Sequence, residues 1–100
     1  TAFLLSVIID YQVYIIENPS GKIYIGISED VTIRVVQHND GMSKWTASYR
    51  PWKLKWRSVR MSLGDARKLE NKMKRQKGGS GLKTLMHVYS AEQPGSSSGS

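Results

Sequence analysis

The chain has no cysteine among its 100 residues, which excludes a disulfide framework, a thiolate zinc site and a thiol nucleophile. It also lacks a long hydrophobic run. The most apolar stretch, Thr1 to Ile9 (TAFLLSVII), has no basic residue before it and ends at Asp10. It is too short to span a bilayer and lacks the parts of a signal peptide, so no membrane partner is expected. It reads as an extended lead-in to the first strand, or as an extra edge strand. The chain opens on Thr rather than Met, so part of this stretch need not be native. Acids are scarce: 8 Asp and Glu stand against 15 Lys and Arg, giving a net charge of +7. That balance points to a polyanionic partner if the charge is gathered on one surface, and only to solubility if it is spread. No internal repeat is visible. The length suits one domain with a single modest core, placed here at residues 1–89. The absence of thiols is compatible with a reducing, intracellular compartment, cytoplasmic or nucleoid-associated.

What is present is organised around Val13 to Gly26, VYIIENPSGKIYIG. Two apolar runs, each with a tyrosine, flank Asn18, Pro19, Ser20 and Gly21, residues that preset or tolerate the backbone angles of a tight turn. The spacing predicts a β-hairpin. Alternation puts Val13, Ile15, Ile23, Ile25 and Ile27 on one buried face. Tyr14 and Tyr24 fall on the other, directly opposed if Ile16 pairs with Lys22 around a five-residue loop, beside a Gly26 that leaves room for close approach. Two phenols sharing a patch fit an ordinary packed tyrosine ladder as well as a site.

Ser28, Glu29 and Asp30 read as a helix start, with Asp30 able to cap VTIRVVQHN. The β-branched residues of that segment suit a strand equally well. Asn39, Asp40 and Gly41 supply its stop. Residues 42–51 form a polar loop in which Lys44 and Arg50 interleave with Trp45 and Tyr49. A third strand, WKLKWRSVRM, is expected to turn Trp52, Leu54 and Trp56 one way and Lys53, Lys55 and Arg57 the other. That basic edge suits nucleic-acid contact or protection against strand addition. Ser62 to Lys77 is the clearest helix, capped by Ser62 with Asp65 three residues on and striped by Leu63, Ala66, Leu69 and Met73. Its last turns are crowded with Lys72, Lys74, Arg75 and Lys77, where the helix dipole favours cations. Leu82 to Val88 adds one or two amphipathic turns. From Ser90 to Ser100 the tail SAEQPGSSSGS is expected to be flexible, and in part a vector remnant.

The pieces Tyr14 in a VYII strand and Tyr24 to Gly26 (YIG) ten residues later resemble the signature hairpin of the GIY-YIG endonuclease family. Gln12 and Val13 stand where that family typically has glycine and isoleucine, and Gln12 is expected to narrow the groove beside the tyrosines. The resemblance selects helix for residues 31–39, because there the motif is followed by an arginine and, one turn later, a histidine, matched by Arg34 and His38. It continues through RPW at Arg50 to Trp52 and an acid helix bearing Glu70, and so covers about Gln12 to Leu85. It implies an α+β fold: a three-stranded, mainly antiparallel sheet flanked by helices. Some members place an asparagine after the acid helix, and this chain has none beyond Asn71.

The activity so implied is endonucleolytic hydrolysis of DNA phosphodiesters, with Tyr14, Tyr24, Arg34, His38 and Glu70 as the catalytic set. Such a reaction needs a positioned water, a proton acceptor, positive charge on the phosphate and stabilisation of the leaving oxygen. Glu70 would hold one Mg²⁺ or Mn²⁺, a count set by the lack of a second acid at any motif position. Arg34 would fork onto the phosphate. The base is Tyr14, Tyr24 or His38: a phenol near pKa 10 needs neighbouring cations such as Arg34 or the metal to lower it, whereas histidine is matched already. Lys22, Lys44, Arg50, Lys53, Lys55, Arg57 and Lys74 are the candidates for nucleic-acid binding. No helix-turn-helix or zinc module is recognisable, so intrinsic sequence specificity is expected to be low and targeting to depend on a protein partner. Against this stand a catalytically silent nucleic-acid-binding module of the same fold and a protein-interaction domain. Each site residue also has a structural alternative, most plainly Glu70 paired with Lys74 or Arg67 on the helix surface.

Overall fold

The computed structural model describes residues 10–77 and 79–91. The lead-in Thr1 to Ile9 and the tail beyond Ala91 lie outside the described residues. Three strands, β1 (Gln12–Glu17), β2 (Ile23–Ser28) and β3 (Lys53–Arg57), form one antiparallel sheet in the order β2-β1-β3. Helices α1 (Val31–Asn39), α2 (Lys44–Ala47), α3 (Leu63–Arg75) and α4 (Ser80–Tyr89) complete the expected α+β arrangement.

The hairpin forms as its turn residues predict, but in a different register. The Asn18 carboxamide oxygen accepts from Ser20 N at 3.1 Å and Lys22 N at 2.8 Å, while Gly21 N bonds back to Asn18 O at 3.0 Å with Gly21 at φ +90°. This is a tight turn closed by a left-handed glycine, a conformation that needs no Cβ. It lets the ladder continue through Asn18 N to Lys22 O at 3.0 Å. Glu17 therefore pairs with Ile23, and Tyr14 faces Gly26 rather than Tyr24. A slip of two residues preserves every face, so the tyrosines still share one as diagonal neighbours.

With β1 in the middle, both of its faces are buried. Val13, Ile15 and Ile25 pack with Ala66, Leu69 and Met73 of α3 and Leu82 of α4. On the opposite face Tyr14 and Ile16 pack with Val31 and Trp52, flanked by Tyr24, Val35 and Tyr49. The tyrosine face is thus a second core rather than an open patch. A bulge on β3 divides the third strand between them: Ile15 pairs with Trp56 but Ile16 with Leu54. The alternation expected for WKLKWR is broken at Lys55. Trp56 joins the α3 side and donates to Met86 O at 2.9 Å, whereas Trp52 joins the tyrosine side. Lys53 pairs with Glu17 and Arg57 with Tyr14, so the three cations do not share a face.

Asp30 caps α1 through Ile33 N at 3.1 Å, and Ser62 caps α3 through Asp65 N at 3.1 Å; such caps contribute about 1 kcal/mol each. Residues 42–51 are not purely loop: Lys44–Ala47 form the short helix α2, and the Arg50–Pro51 peptide is cis. Asn39 clamps the end of α1 to the start of β3, donating to Trp52 O at 2.9 Å and accepting from Trp52 N at 2.6 Å. α4 is longer than the one or two turns expected. Beyond it Ala91 N reaches Arg57 O at 3.1 Å, so the stretch read as tail begins against β3.

A Cβ on Gly26 would lie 2.6 Å from the Tyr14 hydroxyl oxygen and 2.7 Å from the ring carbon that bears it. Gly26→Ala is therefore expected to destabilise the fold by roughly 1–3 kcal/mol, as overpacking in a core does. In the Tyr14→Ala background the same change should cost little. Urea unfolding of the four variants checks this, and equal penalties in both backgrounds would rule out the clash.

Candidate active site

The five residues singled out for chemistry come from four elements. Tyr14 lies on β1, Tyr24 on β2, Arg34 and His38 on α1, and Glu70 on α3. Tyr14 leaves the central strand on the α1 side and lays its phenol over Gly26, the one position on β2 with no side chain to obstruct it. The room attributed to this glycine is filled by the phenol itself. His38, one helical turn beyond Arg34, points into the same place. Tyr14 and His38 are each only 1% exposed. The Tyr14 hydroxyl meets His38 Nε2 at 2.8 Å, and His38 Nδ1 meets Thr46 Oγ1 at 2.8 Å. Thr46, fully buried on α2, donates in turn to Ser43 O at 3.3 Å.

This chain has a direction. The only hydrogen on the Thr46 hydroxyl is directed to the Ser43 carbonyl, so Thr46 Oγ1 accepts from His38 Nδ1–H. The proton of the neutral imidazole then lies on Nδ1, and Nε2 accepts from the Tyr14 O–H. Burial, and next the Arg34 guanidinium, lower the His38 pKa below the ordinary histidine value. The neutral form is therefore the resting one at pH 7.

The Tyr14 phenol is shifted upward from 10. Burial is the largest cause, the neighbouring Tyr24 adds to it, and the Glu70 carboxylate raises it further; Arg34 lowers it through its charge and a hydrogen bond. Arg34 thus acts on Tyr14 in the expected sense, but desolvation outweighs it. The same influences place both Arg34 and Glu70 within electrostatic reach of the Tyr14 oxygen. Arg34 is held by Gln37, with Nη1 to Oε1 at 2.8 Å. Tyr24 packs against His38 at 4.9 Å and Tyr14 at 6.4 Å between ring centroids. Glu70 is paired with Lys74 at 3.2 Å, the helix-surface alternative, yet its side chain is only 20% exposed. The ion pair does not prevent the carboxylate charge from acting on Tyr14.

Among the described residues no cluster of three or more His, Asp or Glu is arranged to hold a metal ion. Both His38 nitrogens are engaged. The available donor is one carboxylate, all oxygen, which suits a hard cation that keeps most of its waters and takes the rest of its shell from a phosphate. A divalent ion of the Mg²⁺ or Mn²⁺ kind fits Glu70; a softer metal needing several nitrogen or sulfur ligands does not.

The cations proposed for nucleic-acid contact are dispersed. Lys22 stands over the Tyr49 ring, 4.9 Å from its centroid, and Lys55 pairs with Glu17 at 3.4 Å. Arg50 is largely spent on the loop, donating to Ala47 O at 2.9 Å and Asn39 O at 3.4 Å. Lys44 and Lys53 are exposed and Arg57 is half-buried. Gln12 is tied to Ser58 O at 2.7 Å. Thr46 was not singled out from the sequence. Its role arises from a short helix within a polar loop, and no spacing rule links it to His38.

A family model described as the GIY-YIG catalytic domain matches residues 10–83. The chain is similar to a UPF0213 protein of Staphylococcus epidermidis, 35% identical over 63 residues, covering 62% of this chain and 77% of the relative. It is also similar to a UPF0213 protein of Staphylococcus saprophyticus, 31% identical over 65 residues, covering 64% and 79%. No solved structure matches. No helix among the described residues is long and apolar enough to cross a membrane.

In ¹⁵N-resolved NMR, His38 is expected as the Nδ1–H tautomer near neutral pH. Thr46→Ser should keep that signature and Thr46→Val should lose it. An Nε2–H tautomer in the unaltered protein would reverse the direction of the chain.

Proposed function

The chain belongs to the GIY-YIG family of nuclease domains, and from that premise we propose that it is a metal-dependent endonuclease that hydrolyses DNA phosphodiester bonds. The observation that carries the reading is convergence on one hydroxyl. The Tyr14 oxygen is hydrogen-bonded to His38, adjoins Tyr24, and feels both the Arg34 guanidinium and the Glu70 carboxylate.

The upward shift of Tyr14 argues against a standing phenolate and for a relay. As water attacks phosphorus, its proton passes to the Tyr14 oxygen while the Tyr14 proton passes to His38 Nε2. The acceptor is thus a neutral imidazole, and the phenol ends with the proton count it began with. Thr46 keeps Nε2 unprotonated for that role and accepts from Nδ1–H of the resulting imidazolium. Arg34, braced by Gln37, binds a non-bridging oxygen and offsets charge gained in the transition state. The Tyr24 phenol flanks the attacking water. The bond to the leaving oxygen breaks with its electron pair, and that oxygen takes a proton from solvent. Glu70 would hold the divalent cation, which when bound neutralises phosphate charge and stabilises the departing oxygen. Recognition through phosphates carries no sequence information. Low intrinsic specificity follows, with targeting left to a partner protein.

Glu70→Ala is expected to reduce metal-dependent nicking of supercoiled plasmid by on the order of 10²–10³, the scale of losing one transition-state stabiliser, with salt-sensitive DNA binding retained. Equal nicking by both proteins would remove the carboxylate from the reaction. Binding without nicking by either would leave the silent module.

The acid limb of the pH profile follows from His38. Only neutral imidazole accepts a proton, and its pKa lies below the ordinary value of about 6.5. Activity should therefore hold as pH falls to about 6.5 and decline only as His38 titrates below it. A decline already complete at pH 6.5 would exclude His38 as the acceptor.

A further inference from the structure

At the hairpin end of the sheet an open groove of about 560 Å³ runs between the β1–β2 turn and α4. Lys22, Lys55, Lys77 and Lys83 line it, all of them exposed. The one carboxylate there, Glu17, is paired with Lys55 at 3.4 Å, leaving three ammonium groups unbalanced. Trp45, 44% exposed, forms part of the wall and packs on Tyr24 at 6.0 Å between ring centroids.

The groove is joined to the candidate active site along two elements. Lys22 stands two residues before Tyr24, just ahead of β2, and its ammonium lies over the Tyr49 ring, which packs against the same core as Tyr24. On α3, Glu70 and Lys74 are one turn apart and ion-paired, and Lys77, two residues past the helix end, lines the groove, so cations lead on from the carboxylate. A row of ammonium groups beside a flat, half-exposed indole matches a nucleic-acid strand, whose phosphates are evenly spaced and whose sugars and bases present apolar surface.

We propose that this groove carries the DNA strand away from the scissile phosphate, with Lys22, Lys77 and Lys83 on successive phosphates and Trp45 against the nucleotide next to the site. Lys77 and Lys83 thereby become substrate-binding residues. The identity of the polyanion rests on the nuclease reading; the position of the groove does not.

The test is fluorescence anisotropy of a short fluorescein-labelled DNA duplex with the full chain, metal omitted so that no cleavage intervenes, across 50 to 200 mM salt. Lys77→Ala/Lys83→Ala should weaken binding at least about tenfold and flatten the slope of log K against log salt by about 2, as loss of two phosphate contacts requires. Lys68→Ala/Lys72→Ala removes equal charge from the outer side of α3 and should leave both quantities near those of the unaltered protein. Unchanged binding in the Lys77/Lys83 variant, or equal losses in the two double variants, would overturn the proposal. DNA binding without metal-dependent nicking by the unaltered protein, with the Lys77/Lys83 effect intact, would instead overturn the nuclease reading alone.

Discussion

Everything in the candidate site depends on where one phenol is held. Tyr14 belongs to the central strand, so its backbone is paired on both sides, and its ring is closed in by Gly26 beneath and His38 at the hydroxyl. A side chain so confined has almost no rotamer freedom left to lose when substrate arrives. In a reaction where positioning supplies much of the rate, that entropy is already accounted for in folding. Thr46 extends the constraint by settling which imidazole nitrogen carries the proton.

Burial also sets the chemistry. A cation beside a phenol suggests an activated phenolate, and Arg34 does act in that sense, but loss of water around Tyr14 acts against it more strongly. The same burial moves His38 the other way, toward the neutral form. Both displacements follow from one cause, the cost of charge in a low-dielectric place. Together they favour a proton passed along a chain over a proton lost in advance. Glu70 is more accessible than either and is paired with Lys74.

The sheet explains why such a small chain can hold this arrangement. Five of the six residues of β1 are buried, and they divide two cores between them: Val13 and Ile15 against α3 and α4, Tyr14 and Ile16 against α1 and Trp52. The bulge on β3 lets one short strand give a tryptophan to each core. The helices that carry Arg34, His38 and Glu70 are thus anchored to opposite faces of one strand, and their functional side chains are held to a common frame.

Local chemistry in the amino-acid order determined the elements. Asn18 to Gly21 dictate a turn, Asp30 and Ser62 cap two helices, and Arg34 and His38 share a face because they are four apart. These are short-range effects, legible wherever the residues stand. What the order did not determine was anything that depends on partners far along the chain. The hairpin register turned on the hydrogen bonds of one asparagine side chain. The broken alternation of β3 arose from packing against two cores rather than one. The role of Thr46 and the upward shift of Tyr14 required knowing which groups were shut away from water together. Burial and long-range pairing are properties of the assembled chain, and only the tertiary structure could decide them.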